Sequence, residues 1–165
     1  ERSDHWDPSL LMSSAQQSLP IYRNTQPGSL LRVILLAVLI ALLGFGSATN
    51  GWVVSVAAIV MVALACFHSL TTEVYADSIV IWFGVGLIRR TIMLSKVQSC
   101  SVARTPWYVG WGIRLMPGGG WLWNVSGLES VELQYVEGDR FRVGSNRPQD
   151  LAAAISEAIG AMERN

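Results

Sequence analysis

His68 is the residue whose type and setting most invite chemistry in this sequence. It lies near the end of an apolar run, Trp52 to Leu70, that contains no acid and no lysine. An imidazole in such surroundings can ligate a haem- or chlorophyll-type metal, or hydrogen-bond to a neighbouring helix. No partner motif accompanies it, so contact with a helix is the expected use. The two cysteines, Cys66 and Cys100, form neither a CxxC pair nor a Cys/His cluster, and a disulfide framework is unsupported. No GxSxG element places a serine beside a base. Gly118-Gly119-Gly120 is not followed by Lys-Ser/Thr and a helix, so it is no phosphate loop. Asn124-Val125-Ser126 matches a glycosylation acceptor but reads as a turn. The apolar runs carry no carboxylates for a proton or ion path. The sequence therefore predicts no enzyme, with no catalytic, cofactor-binding or metal-binding residues and no cofactor.

The residues that remain suit contacts rather than reactions. Trp107, Tyr108 and Trp111 form an aromatic loop that either anchors on headgroups or a protein groove, or plugs the end of a β-structure. Arg89 and Arg90, with Arg104 and Arg114, either meet anionic lipid or form a solvated sheet face. Trp6, Leu10 and Leu11 are isolated apolar groups in a polar, Pro- and Ser-rich leading segment. Net charge is zero, which argues against a nucleic-acid partner, and no small-molecule substrate is indicated.

Positioning these groups falls to three segments. The chain is 51% hydrophobic and 15% charged with mean hydropathy +0.37, and the charge deficit concentrates in residues 30–70. Two runs there, Leu30 to Gly46 and Trp52 to Leu70, approach the ~20 residues that cross a bilayer. A short link through Asn50-Gly51 joins them, which predicts an antiparallel transmembrane hairpin. Arg23, Arg32, Arg89, Arg90 and Lys96 flank it on one side, placing both termini in the cytoplasm. Ala37, Ala41, Gly44 and Ala48 line one face of the first helix; Ser55, Ala58, Ala65 and Ser69 offer a similar face on the second. Such small faces either pack the two helices together or dock on another membrane protein. Residues 1–29 have no sustained period and read as an irregular cytoplasmic tail, ordered only if a partner captures it.

From residue 71 the pattern becomes period two with frequent turns, giving about seven strands in a sandwich or barrel. Val131 to Tyr135 and Arg140 to Val143 make the last hairpin. A three-residue link, Glu137-Gly138-Asp139, sets Tyr135 against Phe141 and Leu133 against Val143. A helix closes the chain, with Asn146 as its N-cap, Pro148 in its first turn, and a stripe of Leu151, Ile155, Ala158, Ile159 and Met162.

Thr105-Pro106-Trp107-Tyr108-Val109-Gly110-Trp111-Gly112-Ile113-Arg114 and Gly120-Trp121-Leu122-Trp123-Asn124-Val125-Ser126-Gly127 carry a resemblance, together with Phe141-Arg142-Val143-Gly144 and Pro148-Gln149-Asp150-Leu151. They resemble small bacterial two-helix membrane proteins with a C-terminal pleckstrin-homology-like domain. The resemblance implies an α+β membrane protein of the bacterial inner membrane, its transmembrane hairpin followed by a PH-like β-domain with a C-terminal helix. It does not carry over phosphoinositide binding, because the turn that would supply basic residues is Ala76-Asp77-Ser78, which is acidic. The expected function is that of a non-catalytic accessory and structural subunit. It would dock on a larger membrane protein complex, with an energy-converting or photosynthetic host among those that the sequence does not single out, and aid its assembly. The alternative is a free-standing membrane-surface module that binds lipid or peptide. The expected partners are other subunits of the complex and membrane lipids.

Overall fold

A computed structural model describes residues 19–45, 51–116 and 118–164. The described residues form nine strands and three α-helices. Strand β1 (Tyr22–Pro27) leads into helices α1 (Ser29–Phe45) and α2 (Gly51–Phe67), and the chain returns as β2 (Ser69–Val74). Next come β3 (Ser78–Phe83), β4 (Ile88–Met93), β5 (Val97–Arg104), β6 (Gly112–Leu115), β7 (Trp121–Asn124), β8 (Glu129–Tyr135) and β9 (Arg140–Gly144). Helix α3 (Pro148–Glu163) ends the order.

The strands make two sheets, β1-β2-β3-β4 and β5-β8-β9-β7-β6. The first is an antiparallel meander interrupted by the helical hairpin, since β1 pairs directly with β2 from Tyr22↔Val74 to Pro27↔Ser69. The second closes with one parallel pair, β7 with β9. Ile79, Ile81 and Phe83 from one sheet meet Val131, Leu133, Phe141 and Val143 from the other in a single core. Leu151, Ile155 and Ala158 of α3 complete it, so the expected apolar stripe is the face that packs.

The transmembrane expectation is corrected here. Among the described residues no helix is long and apolar enough to cross a membrane. Helices α1 and α2 have 17 residues each, which at 1.5 Å per residue reach only about 26 Å against a hydrocarbon core of about 30 Å. The second apolar run is divided between two elements: the helix stops at Phe67, and Ser69-Leu70 open strand β2. Hydropathy counts both halves as one span, whereas the backbone turns at His68. The transmembrane hairpin, the membrane-protein class, and the multi-pass inner-membrane location with its assigned sidedness are therefore not supported.

Two further details differ from expectation for local reasons. Residues 22–27, read as irregular tail, form a strand whose partner lies beyond the helices. No local periodicity encodes such a pairing. In the last hairpin the three-residue link is Val136-Glu137-Gly138, so Leu133 faces Phe141 and Val131 faces Val143. Gly138 has φ +92°, and a three-residue hairpin loop needs its left-handed residue in third place. The register moves by two residues, which leaves every side chain on its expected face.

Candidate functional site

Two surfaces stand out, and the first is the hairpin. Its helices pack on each other, with Val53 and Val60 of α2 buried and Leu35, Leu39 and Leu42 of α1 half-buried. The outer faces are apolar as well: Val33, Ile34, Ile40, Ile59, Met61 and Val62 are all exposed. Monomers seldom expose contiguous apolar patches beyond a few hundred Å². Ala37, Ala41 and Gly44 face outward too, and a Cβ on Gly44 would meet nothing within 4 Å. The small-residue face is thus not the seam between the helices. Ser55, Ala58 and Ala65 are likewise exposed, and Ser69 belongs to β2. Ala48 lies outside the described residues, as do Trp6, Leu10 and Leu11.

The hairpin's base is tied to the first sheet. The Gly28 N–H donates to the His68 carbonyl at 2.8 Å, closing the β1–β2 ladder beneath the helices. Phe67 stacks edge-on against Phe83, centroids 5.3 Å apart. Gly84, with φ +47°, lets the end of β3 approach α2 so closely that a Cβ would collide with the Ala65 carbonyl. His68 Nδ1 sits 3.0 Å from the Ala65 carbonyl oxygen, so the imidazole satisfies an orphan acceptor at the helix C-terminus.

The second surface is the aromatic turn. Trp107 and Tyr108 occupy a single 3-10 turn, 78% and 67% exposed, with their rings edge-to-face at 6.2 Å. Trp111 is separated from them in role: it is half-buried, and its indole N–H donates to the Gly127 carbonyl at 3.2 Å. The turn lies over the outer face of the second sheet. Leu122, in register with Arg142 on that face, is fully buried there.

The arginines expected to act together are dispersed. Arg89 and Arg90 are neighbours on β4 and so point to opposite sides of the sheet. Arg89 lies over the Trp82 ring at 5.8 Å, and Arg90 over Phe141 at 4.6 Å. Arg104 and Arg114 belong to the other sheet. Sequence reasoning overlooked Arg140 as a partner for Arg142, although their spacing of two on one strand puts both on one face.

Electrostatic perturbation falls on tyrosines. Burial, reinforced by the Asp150 carboxylate, raises the Tyr22 phenol above its ordinary value, and Arg147 works against this. The Tyr75 phenol is raised chiefly by its 2.6 Å hydrogen bond to Glu73. Tyr135 is raised by burial, with Arg90 opposing. Of these three phenols, that of Tyr75 hydrogen-bonds to a carboxylate. No protein-family model matches this sequence, and no curated protein aligns with it significantly.

Proposed function

We propose that this chain is a non-catalytic accessory subunit that docks on, and helps to stabilise, a larger protein complex through its helical hairpin. The observation that carries the reading is the outward apolar surface of α1 and α2. That surface stands beyond the β-body and is not consumed by the helix–helix seam. Water around Ile40, Ile59 and Val62 is unfavourable by about 25 cal/mol per Å² of apolar surface, so covering that surface drives association. The β-body holds the hairpin through the Gly28–His68 and Phe67–Phe83 contacts and so fixes its direction of approach.

Site-specific photocrosslinking in the native host tests this. A photoreactive residue at Ile40 or Ile59 is expected to give one discrete protein adduct, and one at Gln134 on the β-body none. Ile40→Lys combined with Ile59→Lys should abolish the adduct and release the chain as a monomer on size-exclusion chromatography. A wild-type chain that migrates alone and gives no adduct from either helix overturns the reading.

The exposure of Trp107 and Tyr108 favours a second reading, a module that binds a lipid surface or a peptide through the aromatic turn. Vesicle co-sedimentation that Trp107→Ala abolishes, while the double lysine variant retains it, would favour that reading over the first.

A further inference from the structure

We propose that the cavity between β4 and the β8–β9 hairpin is a binding site for a small zwitterion, a free α-amino acid. The proposal rests neither on the helical hairpin nor on what covers it. Two cationic residues, Arg90 and Lys96, and two acidic ones, Glu137 and Asp139, line this cavity together with Tyr135. Its volume of about 240 Å³ falls below the roughly 300 Å³ at which sites for drug-sized molecules begin. An amino acid fits that space.

The positions of these groups follow from the two sheets. Strand β4 ends the first sheet, so the sandwich is open along it. Arg90 stands between Ile88 and Ile92, which pack on the core, and therefore faces inward. Tyr135 follows Leu133 by two on β8 and faces the same interior. The Arg90 guanidinium lies over the Phe141 ring at 4.6 Å, a contact that consumes no N–H donor. Burial raises the Tyr135 phenol above its ordinary value, while Arg90 lowers it and Asp139 adds to the rise, as charges close to the hydroxyl do. The phenol thus keeps its proton and remains a donor. Glu137 and Asp139 flank Gly138 at the hairpin turn, and the Val136 N–H donates to the Lys96 carbonyl at 3.0 Å. That bond holds the acidic turn against the basic wall. Yet the opposite charges do not neutralise one another, for the ion pairs found among the described residues are Arg23–Glu73 and Arg142–Glu132. Cations on one wall and carboxylates on the other border a common space without pairing. A simple anion or a simple cation entering it meets two like charges. A zwitterion makes both sets of contacts at once, its carboxylate on the Arg90 donors and its ammonium on Asp139 and Glu137.

The test titrates the full chain with L-leucine at low ionic strength, read by saturation-transfer NMR. Saturable binding is expected. It should be lost with leucine methyl ester, which lacks the carboxylate, and with N-acetyl-leucine, which lacks the ammonium. Arg90→Gln should weaken leucine binding roughly tenfold by removing charge-assisted donors. Asp139→Asn, on the exposed turn, should weaken it roughly threefold. Arg140→Gln, outside the cavity, should leave it unchanged. Asp139→Asn should also let N-acetyl-leucine bind better than it binds the parent chain, a gain that loss of folding cannot imitate. Absence of leucine binding, equal binding of all three compounds, or binding indifferent to both cavity substitutions overturns the proposal.

Discussion

Asn124 shows how much of this fold rests on single polar side chains. It is 1% exposed; its Oδ1 accepts from the Ser126 N–H at 3.2 Å and its Nδ2 donates to the Gly127 carbonyl at 3.1 Å. Both bonds are internal to the turn after β7, and Ser126 ties that turn to β1: its carbonyl accepts from Gln26 Nε2 and its hydroxyl donates to the Pro27 carbonyl. Asn124→Ala takes the acceptor from the half-buried Ser126 N–H, while the Gly127 carbonyl keeps the Trp111 indole, and the change costs about 1–2 kcal/mol. Urea denaturation should show the midpoint fall with little change in m-value. Tyr22 makes the opposite case, because its occluded hydroxyl has no partner among the described residues. Tyr22→Phe is expected to stabilise by about 1 kcal/mol. It should also flatten the alkaline limb of the stability profile. A phenol raised above its unfolded value of about 10 favours the neutral form in the fold. Its contribution is complete below pH 10 and disappears as pH rises through the folded value. Thermal melts between pH 8 and 11 check the sign. At this scale the sequence was legible for turns, since Asn124-Val125-Ser126 reads as one. It was not legible for long-range partners: Asn146, expected to cap α3, instead accepts from Asn24 Nδ2 at 2.8 Å, and the cap position is Arg147.

Elements differ in what holds them. Strand β2 is buried along all six residues, paired on both edges and covered on both faces. The hairpin has only its own seam and its base, and isolated helices of this length are marginal in water. Hydrogen exchange should therefore resolve two units, with α1 and α2 opening at lower free energy than β2 and β3. Val60→Asp places a charge in the seam and should collapse hairpin protection while leaving strand protection within about 0.5 kcal/mol of the parent. Loss of protection throughout the chain would show that the hairpin is part of the folding core. Period marked the last strand pair and α3 correctly as elements, because each buries a local, periodic set of side chains, whereas the two apolar runs were read as a transmembrane hairpin that their 17-residue helices do not support. Hydropathy failed at the end of α2, where apolar helix and apolar strand run together across His68. The shared face of Arg140 and Arg142 was visible only in their alternation along β9.

At the scale of the whole molecule, the helical hairpin is an insertion into a β-hairpin rather than an anchor preceding a separate domain. Pro27 pairs with Ser69, and the Gly28 N–H reaches the His68 carbonyl at 2.8 Å, so the chain leaves and re-enters the sheet at adjacent points. Replacing residues 29–67 by Asn-Gly would join those points with the dipeptide that two-residue hairpin turns prefer. The core buries none of the deleted residues except partly buried Phe67, and the variant should fold. It should be monomeric, with a Tm within about 8 °C of the intact chain, the shift that roughly 1 kcal/mol produces in a domain of this size. A fragment beginning at residue 72 should behave differently, because it lacks β1 and the buried opening of β2, Ser69 to Thr71. The remnant of β2 would face solvent along the edge that β1 covers, Trp82 and Phe83 of β3 would lose their partners, and Leu70 would be missing from the core. That fragment is expected to aggregate or remain unfolded by near-ultraviolet circular dichroism. Cooperative folding of the fragment, or a molten state in the Asn-Gly variant, would mean that the hairpin, and not the β1–β2 ladder, organises the body.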